Sequence, residues 1–159
     1  MNFIILYIMA TITISTLTIK SFAFKNNGFI PSQYTCDGSN ISPDFMIDDI
    51  PANTKSLAII MDDPDAPNGI FCHWVMWDIP PKKNIKENSS PGIQGRNSMH
   101  ENKYIGPCPP NGIHHYHFKV YALDTKLSSL SPNTDRKGLL DAMEGHIISS
   151  GDLIGLYAR

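Results

Sequence analysis

Carboxylates, imidazoles and a phenol gather in three short stretches of this chain. They are Asp62-Asp63-Pro64-Asp65-Ala66-Pro67, His73-Trp74, and the run from Gly106 through Pro107 and Cys108 to His114-His115-Tyr116. An imidazole titrates near ~6.5 and a neighbouring carboxylate favours its cation. His73 or His114, held on one ring nitrogen by Asp63 or Asp65, could offer its other N–H to an anion. Tyr116 adds an O–H donor, and backbone amides between Gly106 and Gly112 add more, although the prolines there contribute none. That donor set suits a phosphate, sulfate or carboxylate head group.

Two other chemistries use the same residue types. Two His and an Asp can bind zinc with an open position, which would make a metal-dependent hydrolase the alternative function. The spacing matches no compact ligand motif such as His-Glu-x-x-His. No Gly-x-Ser-x-Gly elbow is present, and Cys72 beside His73 is the one visible nucleophile–base pairing. Adjacent strand residues point to opposite faces, so that pair is badly placed for proton transfer. The expectation is a non-catalytic binding site with neither metal nor cofactor. His100, His115, His117 and His146 carry no second signal and read as surface or satisfied core residues.

The elements that would position these groups are mostly strands. Ser56 to Met61 is a short apolar run ending at the Asp-Pro turn. Strict alternation over His73 to Ile79 puts His73, Val75, Trp77 and Ile79 on one face and Trp74, Met76 and Asp78 on the other. By the same rule His114, Tyr116, Phe118, Val120 and Ala122 share a face. Prolines 64 and 67 stiffen the acidic corner, because proline fixes φ and extends the residue before it. Lys82 to Lys103 reads as a long irregular connection. Leu139, Leu140, Met143, Ile147 and Ile148 have helical spacing over Arg136 to Ser149, and Leu153 to Ala158 reads as a final strand. The class is mainly β and largely antiparallel.

The chain has 159 residues and a net charge of −2, which suits one domain and argues against a nucleic-acid partner, since phosphate neutralisation needs clustered Lys and Arg. Phe3 to Ile19 is nearly continuous apolar sequence, and Ser21-Phe22-Ala23 offers small residues where a signal peptidase reads. The expected division is therefore a signal peptide over 1–23 and a single domain over 24–159, periplasmic or secreted. An uncleaved membrane anchor and a segment of the fold are the other readings of the same stretch. Three cysteines allow one bridge. Cys36 and Cys108 lie in turn segments and are the preferred pair, leaving Cys72 free; three small buried thiols are the alternative.

The chain resembles the phosphatidylethanolamine-binding protein family, in its bacterial, Raf-kinase-inhibitor-like branch. The likeness rests on five ordered motifs covering about Phe24 to Arg159. They are Thr35-Cys36-Asp37-Gly38 with Ser42-Pro43; Asp63-Pro64-Asp65-Ala66-Pro67; His73-Trp74; Gly92-Ile93-Gln94-Gly95-Arg96-Asn97; and Tyr104 to Pro110 continuing through His114-His115-Tyr116 to Asp124. The resemblance implies a Greek-key sandwich of antiparallel sheets with few short helices and a shallow anion pocket near one edge. It implies Asp63, Asp65, His73, Gly106, Pro107, His114 and Tyr116 as the ligand-binding residues. It also implies a phosphate or phospholipid head group as ligand, with a kinase or protease partner, or a second copy of the chain, as further expectations. Two departures stand out: a short Asn68 to Cys72 connection, with Cys72 where an aromatic residue is common, and a trimmed segment between Asn97 and Tyr104.

Overall fold

The structure is a computed structural model that describes residues 15–159. Its centre is a six-stranded sheet in the order β2 (Gly28–Phe29), β9 (Ile147–Ala158), β8 (Ile113–Leu123), β4 (Ser56–Asp63), β5 (Phe71–Ile79), β7 (Ile93–Gln94). A second sheet joins β1 (Thr18–Lys20), β3 (Phe45–Asp48) and β6 (Asn84–Ile85). All strand pairings are antiparallel except β2 with β9. The mainly β sandwich expected from the sequence is what forms, with α1 (Arg136–Met143) as a third layer.

Burial explains the layering. Every residue of β4 is buried, as a central strand covered on both faces requires. One face carries Leu57, Ile59 and Met61, packed with Tyr116, Phe118 and Val120 against Ile19, Phe45 and Ile47 of the small sheet. Phe118 sits 5.7 Å from Phe24 and 5.3 Å from Phe45, ring centre to ring centre. The opposite face carries Ala58, Ile60, Val75 and Trp77 against Leu139 and Met143 of α1. Asp135 caps that helix by accepting the Gly138 N–H.

Three expectations need correction. The alternation expected for β5 fails at both ends, because β4 and β5 slip register between Met61 and Asp62 and again between Leu57 and Ile59. The first bulge leaves His73 without a partner residue and puts it on the same face as Trp74; the second, with Asp78 at φ 54°, turns Ile79 onto the face of Met76. The helix expected to run to Ser149 ends at Met143, Gly145 turns the chain at φ 78°, and Ile147 and Ile148 belong to a twelve-residue strand. The connection from Lys82 to Lys103 is not wholly irregular, since it contains β6 and β7.

The N-terminal expectation falls in two parts. Residues 1–14 lie outside the described residues. Residues 15–23 are built into the domain: Leu17 and Ile19 are buried in the core, β1 pairs with β3, and the Leu17 N–H donates to the Ser150 carbonyl. A boundary at Phe24 would remove a strand of the sandwich.

Candidate functional site

The hairpin of β4 and β5 and the start of β8 open onto a cavity of about 430 Å³. Asp63 closes β4, Phe71 and His73 come from β5, and His114 and Tyr116 come from β8. The loop from Ile105 to Pro110 forms the facing wall. That loop is tied down closely: the Gly106 N–H donates to Asn40 Oδ1 at 2.7 Å, and a Cβ on Gly106 would meet the Tyr34 carbonyl oxygen at 2.3 Å. Cys36 and Cys108, joined by a disulfide, belong to the same wall. Cys72 is free and buried on the other side of the sheet, where burial pushes its thiol up to about 12.

At the floor, His114 Nδ1 lies 2.7 Å from Asp63 Oδ2, both side chains being almost fully buried. A carboxylate only accepts, so this nitrogen carries the proton. The other Asp63 oxygen accepts the Asp65 N–H at 2.9 Å. His73 Nδ1 donates to the Ile105 carbonyl at 2.8 Å. Burial holds the His73 imidazole below its ordinary range, so at neutral pH it is uncharged with Nε2 as an acceptor. This corrects the expectation that either imidazole is held by a carboxylate: His114 is, His73 is not.

Tyr116 stands between them, its ring 5.2 Å from His73, edge-on, and 6.4 Å from His114. Burial, reinforced by Asp63, pushes the phenol up, so it stays protonated. The Cys108 amide lies near Tyr116 Oη and opposes that shift, yet no hydrogen bond of acceptable geometry forms, and the hydroxyl is buried without a partner.

Asp63, His73, Gly106, His114 and Tyr116 therefore line one cavity. Asp65 and Pro107 do not. The Asp65 carboxylate turns outward to accept from both the backbone N–H and Nδ1 of His115, each at 2.8 Å. Pro107 is buried behind the wall, where its carbonyl accepts the Cys36 N–H. Sequence reasoning missed Phe71, whose ring lies 4.7 Å from His73 and supplies the aromatic wall. It also missed Met99 and Lys103 at the rim. Phe71 was findable, two residues before His73 on one strand; Met99 and Lys103 come from a connection without periodicity. Among the described residues no three His, Cys, Asp or Glu side chains are grouped to hold a metal ion.

A largely apolar pocket with a few convergent polar groups on a β scaffold is the form that a binding-type protein takes. The family described as phosphatidylethanolamine-binding protein matches residues 20–158, and the chain belongs to it. A UPF0098 protein of Pyrococcus horikoshii is 52% identical over 150 residues, spanning 87% of this chain and 75% of its own. One from Methanothermobacter thermautotrophicus is 46% identical over 90% of this chain and 99% of its own. The crystal structure titled a putative phosphatidylethanolamine-binding protein homologue from Chlamydia trachomatis superposes with a TM-score of 0.87 at 37% identity, covering 91% of this chain and 99% of that one. Escherichia coli YbcL, titled a new member of the mammalian family, gives 0.84 at 26% identity with the same coverage. The relatives are archaeal as well as bacterial, so the likeness is wider than the bacterial branch alone.

Proposed function

We propose that this chain is a non-catalytic binding protein whose pocket takes a small oxyanion, phosphate or a phosphate-bearing head group. The carrying observation is the Tyr116 hydroxyl, a buried donor with no partner at the floor of the cavity, between two imidazoles. An unfilled buried donor costs about 1–3 kcal/mol; Tyr116 has no exposed surface, so a ligand oxygen recovers that where its neighbours shift to admit it. Both histidines already commit Nδ1–H, so an anion that accepts from Nε2 requires that ring to take up a proton. Binding is therefore linked to protonation and weakens as pH rises. Phe71, Pro109 and Pro110 give an apolar wall for the organic part of such a ligand.

Titration with inorganic phosphate and with O-phosphoethanolamine, followed by NMR at His73, His114 and Tyr116, tests this reading. Saturable shifts with affinity of about millimolar, roughly −4 kcal/mol, are expected. Silence at all three residues up to tens of millimolar sinks it. Regulation of a kinase or protease through the pocket rim rests on family resemblance. A pulldown comparing wild type with His114→Ala addresses it.

Export is part of the proposal. The apolar N-terminal run directs it, and an oxidising compartment keeps the Cys36–Cys108 bridge. The packing of Leu17 and Ile19 in the core supports a reading in which any processing falls before Thr16. N-terminal sequencing of the exported protein checks this, and a mature chain starting at Phe24 contradicts it.

A further inference from the structure

On the opposite face of the large sheet lies a second cavity, of about 350 Å³. Cys72 of β5, Arg96 and Ser98 from the segment after β7, and Arg136 and Lys137 from the first turn of α1 line it. Two of its three cations are engaged. Arg136 Nε donates to Asp62 at 2.9 and 3.1 Å, and Lys137 pairs with Asp141 at 2.6 Å. Arg96 is different. It is half-buried, makes no ion pair among the described residues, and its Nε–H is buried with no acceptor.

The backbone fixes Arg96 beside the helix start. Its N–H donates to the Thr134 carbonyl at 2.8 Å, and it bridges to Asp135 as a parallel pair. The Asp135 carboxylate is turned to the helix, accepting the Gly138 N–H at 2.9 Å. The helix start also carries partial positive charge and first-turn N–H groups that the helix itself does not satisfy. The Cys72 thiol stays protonated and adds no negative charge. Three carboxylates, Asp62, Asp135 and Asp141, stand close to the three cations, so the recess is distinguished not by its net charge but by a guanidinium, that of Arg96, which makes no ion pair among the described residues.

We propose that this recess is a second anion site, taking the phosphate of a small phosphomonoester with Arg96 as its principal ligand. A guanidinium presents a planar fork that matches phosphate oxygens two at a time. The terminal nitrogens of Arg96, which make no hydrogen bond among the described residues, supply that fork, while its buried Nε–H stays out of the ligand's reach and Lys137, paired with Asp141, stands at the edge. The cavity is larger than a bare phosphate, and exposed Ile70 together with Cys72 borders the room left for a short organic group.

The test is an amide-resolved NMR titration of the full chain with inorganic phosphate and, separately, glycerol 3-phosphate. The amides of Arg96, Ser98, Arg136 and Lys137 should shift together, with glycerol 3-phosphate saturating first. Arg96→Gln should raise the dissociation constant at these amides at least about tenfold while phosphate shifts at Tyr116 persist, which also shows that the variant is folded. Arg96→Lys keeps the charge without the fork and should fall between the two. Two results overturn the proposal: no movement of these four amides up to tens of millimolar of either probe, or an Arg96→Lys protein binding as tightly as wild type. His114→Ala removes the first pocket's response and leaves this one, so the two sites succeed or fail separately.

Discussion

Asp62 and Asp63 are adjacent on β4, equally buried, and do opposite jobs. Strand alternation sends them to different faces. Asp62 meets Arg136 and Lys119, two permanent cations that close around it at 2.9 and 3.3 Å. Asp63 meets His114, an imidazole whose Nδ1–H it accepts, at the floor of an open cavity. A carboxylate fully matched by fixed charge can only hold the fold together. One shared with an imidazole leaves a second ring nitrogen whose character changes with pH and ligand.

The widest separation of the two roles should come from Asp62→Asn. It strands a guanidinium and an ammonium against a sheet face, and breaking such a pair is costly. A loss of about 2–3 kcal/mol in a urea titration is expected, on the low side because both cations reach solvent. Phosphate affinity at Tyr116 should be unchanged; an equal loss of binding would erase the distinction between the two aspartates.

Asp63→Asn should show the reverse pattern. The amide can still accept the His114 proton, so stability should fall by only about 1 kcal/mol. The charge that favours an imidazolium is gone, however, and phosphate affinity should drop about tenfold at a fixed pH. Calorimetry on this variant beside Asp62→Asn reads both quantities.

The convergence of Asp63, His114 and Tyr116 was legible because β8 is regular: its period of two put His114, Tyr116 and Phe118 on one face, and they stay there. The faces of β5 were not legible. A bulge is set by how two strands fit together, and neither His73 nor Asp78 announces one. Without the first bulge His73 would face α1, and the pocket would lose its second imidazole. Ile147 and Ile148 fit a helix or a strand equally well in sequence; pairing along β8 over eleven residue pairs, with Ile148 at a bulge, decides for the strand. The tail of the apolar N-terminal run was ambiguous for the same reason, since a signal segment and a buried β1 are both apolar. Arg96 lay within a recognised motif, but only the fold shows that its Nε–H has no acceptor among the described residues.

His73 sharpens the contrast through acid stability. Its folded-state titration is depressed by burial relative to an ordinary 6.5. The unfolded chain therefore binds the proton more readily, and stability falls as pH drops below about 6.5 toward the folded value. His73→Asn removes that contribution. The urea midpoint of the variant should decline less than that of wild type between pH 7.5 and 5.0. A decline as steep as that of wild type would mean that this imidazole is not kept neutral by the fold.

The smallest effect belongs to Asp65, the other carboxylate of the acidic corner, and it bears most directly on why Asp63 is special. Asp65 holds His115 at the surface, with both side chains substantially exposed. Its hydrogen bonds to His115 depress its titration below the ordinary 3.8. The stability it adds is therefore present above that value and lost only as pH falls further, well clear of the His73 window. Asp65→Asn should change stability at neutral pH by about 0.5 kcal/mol or less and leave phosphate shifts at His114 and Tyr116 in place. A drop in affinity comparable to that of Asp63→Asn would show that the turn acts as one unit. If affinity holds, pocket chemistry depends on which way each carboxylate points, not on their both belonging to the Asp-Pro-Asp run.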